Sequence, residues 1–156
     1  AFLKRLPAGS AGVKRVLAFS GVTTMDFEAA RKHMVDSQVR PNDVTDIRIQ
    51  RAFETIPREL VLPSELRALA YVDREVVYAE GRSLPTARDF SKLVAALTIK
   101  SGDLVLDAGC GVGYSTAILA ALCDMVVAVE QDEALAKSAE ETLYGVGAVN
   151  AAVVQG

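Results

Sequence analysis

The chain contains 156 residues with a formal net charge of -3, and 51% of its residues are hydrophobic, as in an ordinary globular domain. This balance excludes the strongly basic surface of a nucleic-acid-binding protein, and no apolar run reaches the roughly 18 residues of a membrane span. A single histidine, His33, argues against a histidine-based metal site or a Ser-His-Asp triad. Two cysteines, Cys110 and Cys123, lack metal-ligand spacing and are too few for a disulfide framework, which favours a reducing compartment.

Charge separates the first 24 residues from the rest of the chain. Residues 1–24 hold four lysines and arginines and no acidic residue, whereas residues 25–156 carry a net charge of -7. The segment has no sustained hydrophobic periodicity, and its apolar run is too short for a secretory signal. We expect either a disordered leader or translated sequence upstream of a true start at Met25, while a mitochondrial-type transit peptide also fits the charge.

Helical periodicity dominates the region that follows. A first helix is predicted over residues 26–40, where Pro41 breaks it. A second helix is predicted to begin at a cap on Thr45 and to end at Pro57. Its apolar stripe consists of Ile49, Ala52, Phe53 and Ile56. Such a stripe is typical of a helix that packs one face on a core.

The stretch from residue 64 to residue 103 predicts a mixture of elements. Ser64 can cap a short helix, residues 74–78 have the composition of a strand, and residues 81–85 indicate a loop. Another helix is predicted to end before residues 101–103. Its apolar stripe consists of Phe90, Leu93, Val94 and Leu97.

From residue 104 the pattern changes to strands that alternate with helices. Residues 104–106 form a short continuous apolar run, which is typical of a strand buried on both faces. A helix is predicted over residues 115–122, a second strand over 125–129, a helix from Asp132 to Gly145 or Gly147, and a third strand over 151–154. This order predicts an α/β fold with parallel strands and right-handed crossovers.

A glycine-rich turn follows the first of these strands. Gly109, Gly111 and Gly113 permit a tight turn and let a ligand contact bare backbone, and the next helix begins where a carboxylate or phosphate is favoured. Asp107 ends the first strand, and Glu130 ends the second, 21 residues after Gly109. An acid at that place can accept both ribose hydroxyls of an adenosine.

The glycine spacing bears on which cofactor the turn would bind. A dinucleotide site usually carries Gly-x-Gly-x-x-Gly, whereas here the third glycine comes one residue early. Asp107 lies at the end of a predicted buried strand and needs a partner, because a buried unpaired carboxylate is costly. S-adenosylmethionine offers an ammonium and a sulfonium, which NAD lacks. We therefore expect S-adenosylmethionine, with a nicotinamide cofactor or a purely structural glycine turn as alternatives.

Two parts of the sequence resemble known proteins. Asp-x-Gly-x-Gly-x-Gly followed by Glu130 resembles motif I and the next acidic strand of class I methyltransferases. The upstream part is similar to protein-L-isoaspartate O-methyltransferases, and with the turn this resemblance covers residues 25–156. The matching upstream pieces are Met34-Val35-Asp36-Ser37-Gln38-Val39-Arg40, Asp46, Arg48, Ala52, Ile56-Pro57-Arg58-Glu59-Leu60, Pro63, Ala70-Tyr71-Val72-Asp73 and Gly81.

The resemblance implies an enzyme that transfers a methyl group from S-adenosylmethionine to the free α-carboxylate of isoaspartyl residues in damaged proteins or peptides. A carboxylate with a pKa near ~4 is already ionised at neutral pH, so no catalytic histidine is needed. The cofactor is expected on Asp107, Gly109, Gly111, Gly113 and Glu130. We expect a cytoplasmic monomer with no metal, no nucleic-acid partner and no membrane partner.

The substrate loop departs from the pattern of that family. The family usually carries Gly-Gln-Thr-Ile-Ser-Gln-Pro where this chain has Gly-Arg-Ser-Leu-Pro-Thr-Ala at residues 81–87. Ser83 takes the threonine position and is the expected catalytic contact. Pro85 replaces a serine and offers neither a hydroxyl nor an N–H group. The alternative is therefore an S-adenosylmethionine-binding paralogue with another carboxylate substrate or no turnover. Arg88 is either a carboxylate clamp or a solvated charge.

The resemblance also sets the expected organisation. Residues 1–24 form the leader, residues 25–100 an N-terminal helical and substrate-loop region, and residues 101–156 the first half of a Rossmann-like cofactor domain. The expected fold class is α/β, with a class I methyltransferase sheet of which only the first three strands are present. Because the family continues with four more strands, we expect a truncated sequence in which the strand carrying Asp107 has an unpaired edge.

Overall fold

The computed structural model describes residues 25–156, and the expected leader at residues 1–24 lies outside this range. Helix α1 spans Phe27–Met34 and continues through a π-helical turn, Val35–Val39, and a 3-10 turn, Arg40–Asn42. The predicted first helix is therefore confirmed, with a wider turn at its end. Helix α2 spans Ile47–Thr55. None of the helices in this described part is both long and apolar enough to cross a bilayer.

Two predicted caps in this region are wrong. Asp46, and not Thr45, caps α2, because its charged carboxylate accepts the backbone N–H of Arg48 at 2.8 Å. Ser64 bonds to the side chain of Glu65, so it does not start a helix. Only the 3-10 turns Arg58–Val61 and Arg67–Leu69 form between α2 and the first strand.

A two-stranded antiparallel ribbon lies between α2 and the next helix. Strand β1 spans Val76–Ala79 and strand β2 spans Arg82–Leu84, with Val77 opposite Ser83. The prediction of a loop over residues 81–85 is therefore wrong, because three of these residues pair with β1. Gly81 makes the short connection with a φ of 65°.

Helix α3 spans Ala87–Ala96 and is capped by Thr86. Its buried face consists of Ala87, Ser91 and Val94, which pack towards the π-helical turn. Leu93 and Leu97 are 64% and 59% exposed, so half of the predicted stripe is wrong. Because this face of α3 packs on its neighbour, the two leucines lie outside the contact.

Three parallel strands form the second sheet. Strand β3 spans Leu104–Ala108, β4 spans Met125–Glu130 and β5 spans Ala151–Gln155, in the spatial order β3-β4-β5. Helices α4, Tyr114–Ala120, and α5, Glu133–Val146, connect them. Asp132 caps α5, and Gly147 ends it in the left-handed conformation. The predicted parallel α/β arrangement is confirmed.

Burial differs sharply between neighbouring strands. Val126 and Ala128 of β4 are fully buried, whereas Leu104 and Leu106 of β3 are 71% and 66% exposed. The prediction that β3 is buried on both faces is wrong, because one face of this strand is exposed. Within the described residues no element covers the face that carries these two leucines.

Candidate functional site

The glycine turn is tied to the end of β4. The backbone N–H of Gly109 donates to the carbonyl of Val129 at 2.7 Å, and the N–H of Gly111 donates to Oε2 of Glu130 at 2.9 Å. Asp107 is paired in register with Ala128, so both acids lie at the carboxyl ends of adjacent strands. In α/β proteins, ligands bind at the carboxyl ends of the strands of an open parallel sheet.

The three glycines have different surroundings although all have positive φ, at 78°, 55° and 83°. A Cβ atom on Gly111 would overlap the Tyr78 hydroxyl, and one on Gly113 would lie 2.9 Å from the Cα atom of Ala139. A Cβ atom on Gly109 would meet no heavy atom within 4 Å. The backbone at Gly109 is therefore open to a ligand, while the other two glycines are required by close packing.

Asp107 is half-buried and bonded to hydroxyl groups. Ser115 Oγ and Thr116 Oγ1, in the first turn of α4, both donate to Oδ2, at 2.8 and 2.7 Å. The expectation that Asp107 is buried and needs a partner is corrected in one respect, since the carboxylate is half-buried and the chain itself supplies two donors. Within the described residues, no lysine or arginine pairs with Asp107, and no donor bonds to Oδ1. That oxygen stays free to accept a bond from a cation.

Glu130 is 1% exposed and has several partners. Oε1 accepts from Nη2 of Arg82 at 2.7 Å and from the N–H of Asp132 at 3.1 Å, while Oε2 accepts from Gly111. Burial by itself would raise the pKa of this carboxyl, but the two backbone N–H groups and the Arg82 charge hold it below its ordinary value. Glu130 is therefore an ionised acceptor at neutral pH.

Ser83 and the glycine turn line one cavity of about 200 Å³. The lining includes Tyr78, Ser83, Pro85, Gly109, Tyr114 and Ser115. The hydroxyl of Ser83 donates to the Glu75 carboxylate, so a substrate carboxylate, which is also an acceptor, would have to replace Glu75 as its partner. The structure therefore brings the substrate loop against the proposed cofactor turn, although the two are separated by more than twenty residues in the sequence.

Comparison with known proteins bears on this arrangement. The family model described as Protein-L-isoaspartate(D-aspartate) O-methyltransferase matches residues 29–156. The chain belongs to this family. A protein-L-isoaspartate O-methyltransferase of Herpetosiphon aurantiacus is 33% identical over 130 residues, which are 83% of this chain and 58% of that protein. One of Methanoculleus marisnigri is 36% identical over 126 residues, 81% of this chain and 57% of that protein. The chain thus spans little more than half the length of these relatives.

Solved structures agree on the fold of this family member. A protein-L-isoaspartate O-methyltransferase superposes with a TM-score of 0.72 at 24% identity over 81% of this chain and 42% of its own. A Plasmodium falciparum protein described as a putative member of the same family, crystallised with S-adenosyl-L-homocysteine, gives a TM-score of 0.69 at 16% identity, over 81% of this chain and 62% of its own. The expected Rossmann-like methyltransferase fold is confirmed.

Three residues near the site had no functional role in the sequence-based prediction. The Tyr78 hydroxyl lies over Gly111, and burial raises the pKa of this tyrosine. Arg82 bonds to Glu130 across 48 positions of sequence. Arg58 is 1% exposed and donates to the Pro85 carbonyl across 27 positions. No periodicity or short motif marks such long-range contacts.

The surroundings of Arg58 are unusual for a buried cation. Its guanidinium lies 5.2 Å from the centre of the Tyr114 ring, a cation–π contact. Its Nε and Nη1 atoms and the Tyr114 hydroxyl have no partner within the described residues. Tyr114 also packs against Phe53 and Phe90, so it supports the site from the core.

The surroundings of Cys110 and Arg88 do not favour a catalytic or substrate-binding role for either residue. Burial raises the pKa of Cys110 to about 11, so its thiol stays protonated and is a poor nucleophile. Arg88 pairs with the neighbouring Asp89 at 3.0 Å on the surface of α3. This pair favours the interpretation of Arg88 as a solvated charge.

Proposed function

We propose that this protein binds S-adenosylmethionine and methylates the free α-carboxylate of isoaspartyl residues in damaged proteins. The observation that carries the proposal is the placement of Asp107 and Glu130 on either side of a glycine turn whose backbone is open at Gly109. Membership in the isoaspartyl methyltransferase family supports the substrate class. A nicotinamide cofactor is disfavoured because the glycine spacing departs from the dinucleotide pattern.

The residues at the turn fit the chemical groups of this cofactor. Asp107 keeps Oδ1 free for the ammonium of the amino-acid end, and the open backbone at Gly109 permits close contact. Glu130 is an ionised acceptor for ribose hydroxyls. When bound, the cofactor supplies an electrophilic methyl group on a positively charged sulfur.

The protein has little acid–base chemistry to perform. The substrate carboxylate is ionised at neutral pH, so its oxygen would accept the methyl group without a general base, and the cofactor would keep the carbon–sulfur bonding electrons and leave as a neutral thioether. The cavity lined by Ser83 and Tyr78 would align the carboxylate and exclude water. We propose Ser83 as the contact to the substrate or the methyl donor.

A second candidate function is cofactor binding without isoaspartyl turnover. Pro85 lines the cavity at the position where the family usually carries a serine, and a prolyl ring offers no hydrogen-bond donor there. If the missing hydroxyl limits turnover, Pro85→Ser should raise the rate of methyl transfer to an isoaspartyl peptide. An unchanged rate would contradict the idea that the missing hydroxyl limits turnover.

Two measurements on the full-length protein test the proposed function. Calorimetric titration with S-adenosylhomocysteine and, separately, with NAD should show binding of the first only. Transfer of a labelled methyl group should occur to an isoaspartyl peptide and not to its aspartyl twin. Cofactor binding without label in either peptide would favour the second candidate, and binding of NAD alone would overturn both.

Location and assembly complete the proposal. Cys110 and Cys123 are both buried and free, which fits a reducing compartment such as the cytoplasm. We propose a monomer, and a gel-filtration mass of twice the chain's mass would contradict it.

We also propose that residues 25–100 form the N-terminal helical and substrate-loop region and that residues 101–156 bind the cofactor.

A further inference from the structure

Hydrogen-bond capacity at Glu130 is nearly exhausted in this structure. An ionised carboxylate has two oxygens and about four acceptor positions. Arg82 and the N–H of Asp132 occupy Oε1, and the N–H of Gly111 occupies one position on Oε2. One position remains, whereas a ribose that directs both of its hydroxyls at this carboxylate needs two. One of the present donors must therefore leave when such a ribose binds.

The three donors differ in how easily they can leave. Gly111 belongs to the glycine turn, and Asp132 caps α5, so withdrawal of either N–H group would move the main chain. The Arg82 side chain is 30% exposed and can rotate towards water. We therefore expect the Arg82 guanidinium to be the donor that leaves Glu130 when a ribose binds.

We infer that Arg82 competes with the ribose hydroxyls for Glu130 and so lowers the affinity of this protein for its adenosine cofactor. The inference rests on the proposed function, because it assumes an adenosine ribose at Glu130. It assigns a role to the residue that stands where the family usually carries glutamine. Because Arg82 precedes Ser83 on β2, its release also frees one contact that holds the ribbon to the end of β4.

The test is calorimetric titration of the full-length wild-type protein and its Arg82→Gln variant. S-adenosylhomocysteine should bind the variant about three- to tenfold more tightly, the range expected for loss of one part-exposed ion pair. The 2′,3′-dideoxyribose analogue of the same ligand should bind both proteins within about twofold of each other, since it has no hydroxyl to compete. Arg48→Gln, which breaks an ion pair with Asp46 outside the site, is the matched control and should leave both affinities unchanged.

Each outcome decides the inference. Equal or weaker binding of S-adenosylhomocysteine by Arg82→Gln overturns it, as does the same gain in affinity for the dideoxy analogue. Absence of binding by both proteins overturns the proposed cofactor site, and the inference with it. If Arg82→Gln does not fold by circular dichroism, Arg82→Met retains the apolar stem of the side chain and is titrated in its place.

Discussion

The glycine turn and the β1–β2 ribbon meet at one cavity, but they are built in different ways. The turn is tied to β4 by backbone N–H groups across 19 and 20 positions, and Asp107 is bonded to hydroxyls only eight and nine positions further along. The ribbon is tied down by Arg82 to Glu130 and by Arg58 to Pro85, across 48 and 27 positions. A motif in the sequence therefore describes the first region well and the second poorly.

The two regions also differ in how completely their polar groups are satisfied. Glu130, at the turn, has three donors, while Arg58, beneath the ribbon, has two nitrogen atoms without a partner in the described residues. Buried polar groups are normally paired. The comparison indicates a glycine turn fixed mainly by backbone hydrogen bonds and a β1–β2 ribbon fixed to the rest of the chain by side chains.

The largest expected effect is the loss of stability when a glycine of the turn is replaced. Gly113→Ala should lower the free energy of unfolding by about 3 kcal/mol, because it adds left-handed strain and a clash with the main chain of Ala139. Gly109→Ala adds the strain without a clash and should cost about 1 kcal/mol. Urea denaturation of both variants measures the difference. Equal losses would show that the backbone at Gly113 can relax.

Charge at the turn gives the next largest effect. Asp107→Asn should weaken binding of S-adenosylhomocysteine by about 10- to 100-fold, since a bond to a charged group contributes about 1.5–3 kcal/mol. Asp124→Asn is the control, because Asp124 is exposed and lies just before the amino-terminal end of β4, whereas the site lies at the carboxyl ends of the strands. Similar affinities for both variants would remove Asp107 from the proposed cofactor site.

Replacement of Arg58 tests the ribbon side of the comparison. Arg58→Met should leave the free energy of unfolding within about 1 kcal/mol of the wild type, because an apolar side chain avoids the desolvation of a buried cation. Arg58→Lys keeps a buried charge with poorer geometry and should cost about 2 kcal/mol. Thermal or urea denaturation distinguishes the two. A methionine variant less stable than the lysine variant would mean that the guanidinium itself stabilises the ribbon.

The smallest effect is the pH dependence of the contact that joins the two regions. The pKa of Glu130 lies below its ordinary value of 4.5 in the folded protein, so its contribution is complete above pH 4.5 and is lost as the pH falls through the folded pKa. Wild-type stability should therefore fall more steeply below pH 4.5 than that of Glu130→Gln. Parallel acid denaturation curves would show that Glu130 is not linked to folding.

A structural feature could be predicted from the sequence when the residues that form it are close together along the chain. The parallel α/β order, the positions of Asp107 and Glu130 at strand ends, and the cap at Asp132 all follow from local periodicity and spacing. The cap of α2 was misplaced by one residue because Thr45 and Asp46 are both good caps, and geometry selects between them.

Burial was harder to predict than secondary structure. Leu104 and Leu106 have the composition of a buried strand, yet their exposure depends on which elements stack on β3. Leu93 has the spacing of a core residue, but the buried face of α3 is formed by Ala87, Ser91 and Val94. Periodicity predicts that one face of a helix or strand is apolar, but it does not predict which other element packs on that face.

By itself, the sequence determined the order of strands and helices and the acids beside the glycine turn, because hydrogen bonds and side-chain period act over a few residues. The family followed from the resemblance of its motifs to known proteins. Only the tertiary structure decided that Arg82 reaches Glu130, that Arg58 is buried beneath Pro85 and that Ser83 shares a cavity with Gly109. These pairs are distant along the chain and become neighbours only when the ribbon packs against the end of the sheet.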